Sequence, residues 1–390
     1  MISEIGLVNF KCFGRQKIRL APLTLLTGLN GMGKSSVIQS LLVIRQSYDD
    51  GLLGEGRLAT AGSLVDLGSP KDVLYENAKS DNIAITLKSF EDEKVLVLRM
   101  SVSGEGNSVR ADKYEVRNIG AFGSIISSEI FGRFLDMSLH ERSQSLIAEF
   151  QYLQAERNGP RKYLPTKPDH KGKFSLGVKG QYVLHFLSVF GQALSIAESD
   201  PRWTEADGNR LIDQVTVWLD KISPGVNLSV ETVSEADLVV GGFSFGEEGS
   251  LRSRRFRATN VGFGISYVLP VLVALLAAPS GGIVILENPE AHLHPAGQAK
   301  LGELCARAAA AGVQVIIESH SDHLMDGLRI AVREDILSNE DLLFHYFRRE
   351  AGVARVVTPD VSPDGKLSEW PEGFFDQHRK NAVRLLAPKG

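Results

Sequence analysis

The first residues capable of chemistry are glycines set ahead of a lysine and a serine: Gly28-Leu29-Asn30-Gly31-Met32-Gly33-Lys34-Ser35 fits the spacing GxxxxGK[ST]. Glycines in that pattern let backbone N–H groups turn inward around phosphates, while the lysine brings a cation to the terminal phosphates and the serine offers a hydroxyl to magnesium. The expected nucleotide contacts are Asn30, Gly31, Gly33, Lys34, Ser35 and Ser36, with ATP and Mg2+ as cofactors. A chance glycine-rich turn ahead of a core helix is the competing explanation. The β-rich run Leu23 to Thr27 in front, and Val37, Ile38, Leu41 and Leu42 behind, are the context a phosphate loop requires.

Carboxylates and a histidine form the second set. Glu287 ends the apolar run Ile283-Val284-Ile285-Leu286, so it is expected at the C-terminal edge of a buried strand, where open α/β sheets bind ligands. With Ser35 it is expected to hold magnesium, directly or through water. Glu290 either orients the attacking water or caps the helix after Pro289. His320 follows a second apolar run, Val313 to Ile317, by the turn Glu318-Ser319, and its expected role is donation to a phosphate oxygen. His292, His294, His320, Asp322 and His323 invite a metal-cluster reading. An HxH pair in a loop is common, however, and phosphate sensing accounts for the same residues.

These side chains need a frame that brings both ends of the chain to one sheet edge. The opening reads as strands Ile2 to Val8, Lys17 to Leu20 and Leu23 to Thr27, followed by a helix from Gly33 to Gln46. Near the other end, a helix from Ala296 to Ala311 separates the two buried strands. Such βαβ units imply a doubly wound α/β core. The expected division is an N-terminal lobe over 1–80, an inserted β-rich and helical region over 81–235, a C-terminal lobe over 236–330 and a short tail domain over 331–390. Within the insert, Ile83 to Leu87 and Val95 to Val102 read as paired strands about the turn Glu91-Asp92-Glu93-Lys94, and Leu211 to Ile222 as an amphipathic helix. Heptads are not sustained, so no long coiled coil is expected.

With 390 residues, 43% of them hydrophobic, the chain can bury a large core, and its formal charge of -4 gives no global pull toward nucleic acid or anionic membrane. Cys12 and Cys305 stand far apart without a CxxC pair, which argues against a disulfide framework or zinc knuckle. The longest apolar run, Tyr267 to Ala278, falls short of the ~20 residues of a spanning helix. A cytoplasmic protein without membrane contact is the expectation.

The motifs and their order resemble the ABC-type ATPases of the SMC, RecF and OLD (overcoming lysogenization defect) group, in which two subunits sandwich ATP. Ile5-Gly6-Leu7-Val8-Asn9-Phe10-Lys11-Cys12-Phe13 is similar to the family's opening strand and turn. Glu287-Asn288-Pro289-Glu290-Ala291-His292-Leu293-His294-Pro295 resembles its Walker B and D-loop segment, and Glu318-Ser319-His320-Ser321 its switch-histidine loop. Asn260-Val261-Gly262-Phe263-Gly264-Ile265-Ser266 occupies the place of the signature, where Asn260, Gly262 and Gly264 would bring backbone N–H groups to a phosphate held by the other subunit. Trp370-Pro371-Glu372-Gly373-Phe374-Phe375-Asp376-Gln377 and Tyr152 to Pro160 resemble segments of a bacterial subset of predicted AAA-family ATPases, the former a tail of uncharacterised function. The fold class implied is an ABC-type P-loop ATPase head with an inserted β-rich and helical subdomain.

Two features depart from the family. Asn288 stands where many relatives have the catalytic Glu, and an amide is no general base, which implies slow ATP hydrolysis or reliance on Glu290. The segment Leu64-Val65-Asp66-Leu67-Gly68-Ser69, the region for the family's Q-loop, contains no glutamine. The resemblance implies a homodimer or higher oligomer on ATP binding, and a sensor or scaffold role for a separate effector, such as a nuclease in anti-phage defence. The alternatives are a RecF-like repair ATPase that binds double-stranded DNA and a nucleotide-gated structural module with negligible turnover. Arg252, Arg254, Arg255 and Arg257 alternate along one run, which suits either phosphate contact or a solvated strand face. Arg161, Lys162, Lys167, Lys171 and Lys173 read as an exposed basic loop.

Overall fold

The computed structural model describes residues 1–55, 57–90, 94–102, 108–118, 150–167, 175–246, 253–350 and 353–386. The expected turn residues Glu91, Asp92 and Glu93, together with Lys171, Lys173 and Arg252, lie outside the described residues. The strands are β1 (Ile2–Phe10), β2 (Phe13–Arg19), β3 (Leu23–Gly28), β4 (Arg57–Ala59), β5 (Asn82–Ser89), β6 (Lys94–Ser101), β7 (Ser108–Asn118) and β8 (Phe150–Leu153), then β9 (Leu164–Pro165), β10 (Val226–Val233), β11 (Leu238–Phe245), β12 (Phe256–Arg257), β13 (Ile283–Glu287), β14 (Gln314–Glu318), β15 (Leu342–Glu350) and β16 (Val353–Val357). The longer helices are α1 (Lys34–Asp49), α2 (Val183–Phe190), α3 (Leu211–Ile222), α4 (Phe263–Ala277), α5 (Pro295–Ala310), α6 (Asp322–Arg333) and α7 (Gln377–Leu386).

The central sheet has the order β16-β15-β3-β14-β13-β8, parallel from β15 to β8 with β16 antiparallel at the edge. Its strands are apolar on both faces because both faces are covered. Ile283 and Ile285 join one buried cluster with Val37, Ile38 and Leu41 of α1, whereas Val284 and Leu286 join another with α3 to α6. This is the two-residue period of a strand buried between layers. A second, antiparallel sheet, β2-β1-β5-β6-β7-β4, packs over the α1 side. A third, smaller sheet of β10, β11 and β12, with β9 on β11, packs with α2 and α3 against the opposite core.

Hydrogen bonding crosses the divisions drawn at residues 80, 235 and 330. β5 pairs with β1, β8 lies in the central sheet beside β13, and β15 pairs in parallel with β3. The buried His345 ring of β15 is bonded to the Arg19 carbonyl at 2.6 Å, joining the C-terminal segment to the start of the chain. Among the described residues there is no long coiled coil; α1 and α5, at 16 residues, are the longest helices.

Candidate nucleotide site

β3 runs fully buried into Gly28 and ends there because the backbone turns to φ 125°, a conformation open to glycine. A Cβ at Gly28 would also lie 2.2 Å from the Phe347 carbonyl of β15. Gly31 and Gly33 likewise have positive φ, 73° and 105°, and the chain then enters α1 at Lys34. Leu29, Asn30 and Gly31 are exposed at the tip, as a ligand-facing loop requires.

Lys34 is 3% exposed and donates from Nζ to the Gly28 and Leu29 carbonyls at 2.8 and 2.9 Å. Burial pushes its pKa down, and the nearby Glu318 carboxylate partly offsets this. The Ser35 hydroxyl is directed at Glu318, donating to Oε2 at 3.1 Å. Ser36 is turned the other way, and its hydroxyl accepts from the Cys12 thiol at 3.5 Å.

The parallel register places Glu287 directly beside Glu318 at the C-terminal ends of β13 and β14. Tyr152 donates to Glu287 Oε1 at 3.0 Å, and the Ala155 N–H to Oε2 at 3.2 Å. Glu290 lies within the turn between Asn288 and His292, both of which take positive φ. It accepts from the Ser319 hydroxyl at 2.7 Å, and its Oε2 is buried with no hydrogen-bond partner among the described residues. Burial raises the pKa of Glu287, Glu290 and Glu318, each partly relieved by its hydrogen bonds. A buried carboxylate with a free lone pair and a raised pKa is equipped to accept a proton. His320 is exposed at the same edge, its backbone N–H 3.4 Å from Glu290 Oε1. Burial and the Lys34 charge lower its pKa, so the neutral imidazole is the form present at neutral pH.

The structure thus brings Lys34, Ser35, Glu287, Glu290 and His320 to one end of adjoining strands. The Ser35, Glu287 and Glu318 donors are all oxygen, the hard set that suits Mg2+, with the Ser35 hydrogen bond going to Glu318 rather than Glu287. Gly262 caps α4 at an ordinary φ of −59°, and a Cβ there would meet nothing within 4 Å. Asn260 is exposed beside it. Gly264, by contrast, packs onto the segment after β13, where a Cβ would lie 2.6 Å from the His292 carbonyl. The histidines of the metal-cluster reading set aside above have separate local contacts: His292 packs edge-on to Tyr267, His294 accepts from Ala296 at the start of α5, and His323 stands 3.7 Å from Asp322.

Four contributors escape motif reading. Glu318 belongs to β14 rather than to a turn. Tyr152 and Arg157 come from a segment distant in sequence. Arg157, 3% exposed, donates to the Glu287 and Asn288 carbonyls, both at 2.7 Å, and to Tyr267 O at 3.1 Å. Burial lowers its pKa to about 10. Gln154 directly follows β8, the strand paired with β13, so it stands at this same edge, whereas the Leu64 and Val65 N–H groups, in the segment where a glutamine was sought, donate to Gln46. A glutamine directly after the short segment Phe150-Gln151-Tyr152-Leu153 was the available signal.

Residues 1–186 match a family model described as an AAA ATPase domain, and residues 183–326 one described as "AAA domain, putative AbiEii toxin, Type IV TA system". Residues 337–385 match a model described as a protein of unknown function (DUF3696). No curated protein matches. Among solved structures, an SMC head bound to the C-terminal winged-helix domain of ScpA is 15% identical with a TM-score of 0.50, covering 93% of this chain and 98% of that one. The SMC head domain from Thermotoga maritima is 14% identical (TM-score 0.46, covering 92% and 99%). An SMC head from Pyrococcus furiosus with an extended coiled coil, bound to the C-terminal domain of ScpA, is 13% identical (TM-score 0.49, covering 99% and 99%). ATPase-domain models thus match residues 1–186 and 183–326, and the arrangement of sheets around the phosphate loop is similar in fold to an SMC head.

Proposed function

We propose that this chain binds ATP with Mg2+ at the phosphate loop, pairs with a second copy across the nucleotide and hydrolyses ATP slowly. That cycle then controls a separate effector, a nuclease in anti-phage defence. The observation that carries the nucleotide reading is the convergence of Lys34, Ser35, Glu287, Glu290 and Glu318 at one strand edge. Mg2+ would be held by Ser35 and Glu287 and would neutralise phosphate charge. Asn288 offers no base, so Glu290 takes the proton of the attacking water while His320 donates to the γ-phosphate. Pairing is supported by the open Gly262 end of α4 and by Phe263 beside it, 58% exposed. A separate protein partner is supported by analogy with the SMC head bound to a ScpA domain, and a defence role by the match to a model named for a toxin.

A nucleotide-gated module with negligible turnover is the second reading, favoured by Asn288. Arg254 lies over Phe256 and Arg255 pairs with Glu231 at 2.7 Å, which supports a structural strand face more than the RecF-like DNA reading. The test is ATP turnover with and without double-stranded DNA, in the wild type and in Glu290→Gln. Turnover lost in the variant supports hydrolysis with Glu290 as base. ATP binding without turnover in every condition supports the gated module, and stimulation by DNA supports the repair reading.

A further inference from the structure

Glu318 has no task in the motif spacing, and the resemblance assigns it none. It ends β14, the strand between the phosphate-loop strand and that of Glu287, and it pairs with Glu287 in register. It engages both active side chains of the loop: Ser35 donates to its Oε2 at 3.1 Å, and Lys34 Nζ stands 3.8 Å from its Oε1. At 8% exposure its charge depends on such partners. Phosphates entering the loop compete for Lys34, since three of its contacts, the Gly28 and Leu29 carbonyls and Glu318, are replaceable by phosphate oxygens. Glu318 is then left beside the Ser35 hydroxyl and Glu287 with its cation withdrawn.

We propose that Glu318 is the second carboxylate of the divalent-cation site, holding Mg2+ or its water with Ser35 and Glu287 once ATP has taken Lys34. This rests on the nucleotide-site reading above. Among the described residues no three His, Cys, Asp or Glu side chains gather as a metal cage. Mg2+ is held by one or two carboxylates plus substrate phosphates and retained waters, a set to which Ser35, Glu287 and Glu318 can contribute. Glu318 therefore joins its contacts with Lys34 and Ser35 to a metal-ligating role once ATP is bound.

The test titrates the full chain with a fluorescent ATP analogue over a range of free Mg2+, and again in EDTA, for the wild type, Glu318→Gln and Glu318→Asp. Mn2+ electron paramagnetic resonance of each nucleotide complex supplies a direct metal readout. Glu318→Gln is expected to raise the Mg2+ concentration for half-maximal binding about tenfold and to alter the Mn2+ spectrum. Binding in EDTA should hold or tighten, because an anion facing the phosphates is gone. Glu318→Asp, which keeps the charge and the fold, should shift the midpoint less in the same direction. An unchanged midpoint, or affinity lost equally with and without metal, overturns the proposal and leaves Glu318 as a support for Lys34. A wild type that binds no nucleotide at any Mg2+ concentration overturns the nucleotide-site reading itself.

Discussion

Glu290 holds its carboxyl where burial favours the protonated form. Its folded pKa lies above the ordinary 4.5, so the stability it lends is complete below that value and is lost as pH rises through the folded pKa. Glu290→Gln escapes that loss while still accepting from Ser319. The melting temperature of the variant relative to wild type should therefore rise from about pH 5 to about pH 8; a constant difference would contradict a raised pKa. Turnover should fall as pH drops through the same group, because the base must be ionised to accept a proton. Lys34→Ala removes a charge-assisted phosphate contact worth about 1.5–3 kcal/mol, so calorimetry should show ATP affinity weakened about ten- to hundredfold.

At the scale of elements, Arg157 connects the segment after β8, the end of β13 and α4 through carbonyls that its planar fork reaches together. Arg157→Gln should lower stability by about 3 kcal/mol in denaturant titrations, as expected for a buried charged donor network that is broken. Turnover should fall beyond what ATP affinity explains, because the segment carrying Glu287 and Glu290 is loosened. Gly28 links β3 to β15 at the head of the phosphate loop. Gly28→Ala forces a Cβ to 2.2 Å from the Phe347 carbonyl at φ 125°, and a loss of about 3 kcal/mol in stability is expected. A melting temperature equal to wild type would mean that β15 does not close on β3 as described.

For the whole molecule the decisive question is pairing. The Gly262 end of α4 is open, so Gly262→Arg should leave the melting temperature of the isolated chain unchanged while abolishing ATP-stabilised association in sedimentation. A wild-type monomer with and without ATP and magnesium would remove the two-copy reading altogether. Among the described residues no helix is long and apolar enough to cross a membrane.

Much of the site was legible because its chemistry is local. A glycine-spaced loop ahead of Lys34 and Ser35, and a carboxylate closing an apolar strand, are determined by neighbours in sequence, as was α3, read as Leu211 to Ile222 and found there. Gln154, Arg157 and Glu318 were not assigned, because what gives each a task is another strand or loop. Gln154 reaches this strand edge through the pairing of β8 with β13, Arg157 contacts carbonyls of a distant segment, and Glu318 is set beside Glu287 and Ser35 by strand register. The C-terminal segment read as a separate tail, yet β15 completes the phosphate-loop side of the central sheet. Strand order is set by which apolar faces can be covered together, a property of the packed chain that no local window contains.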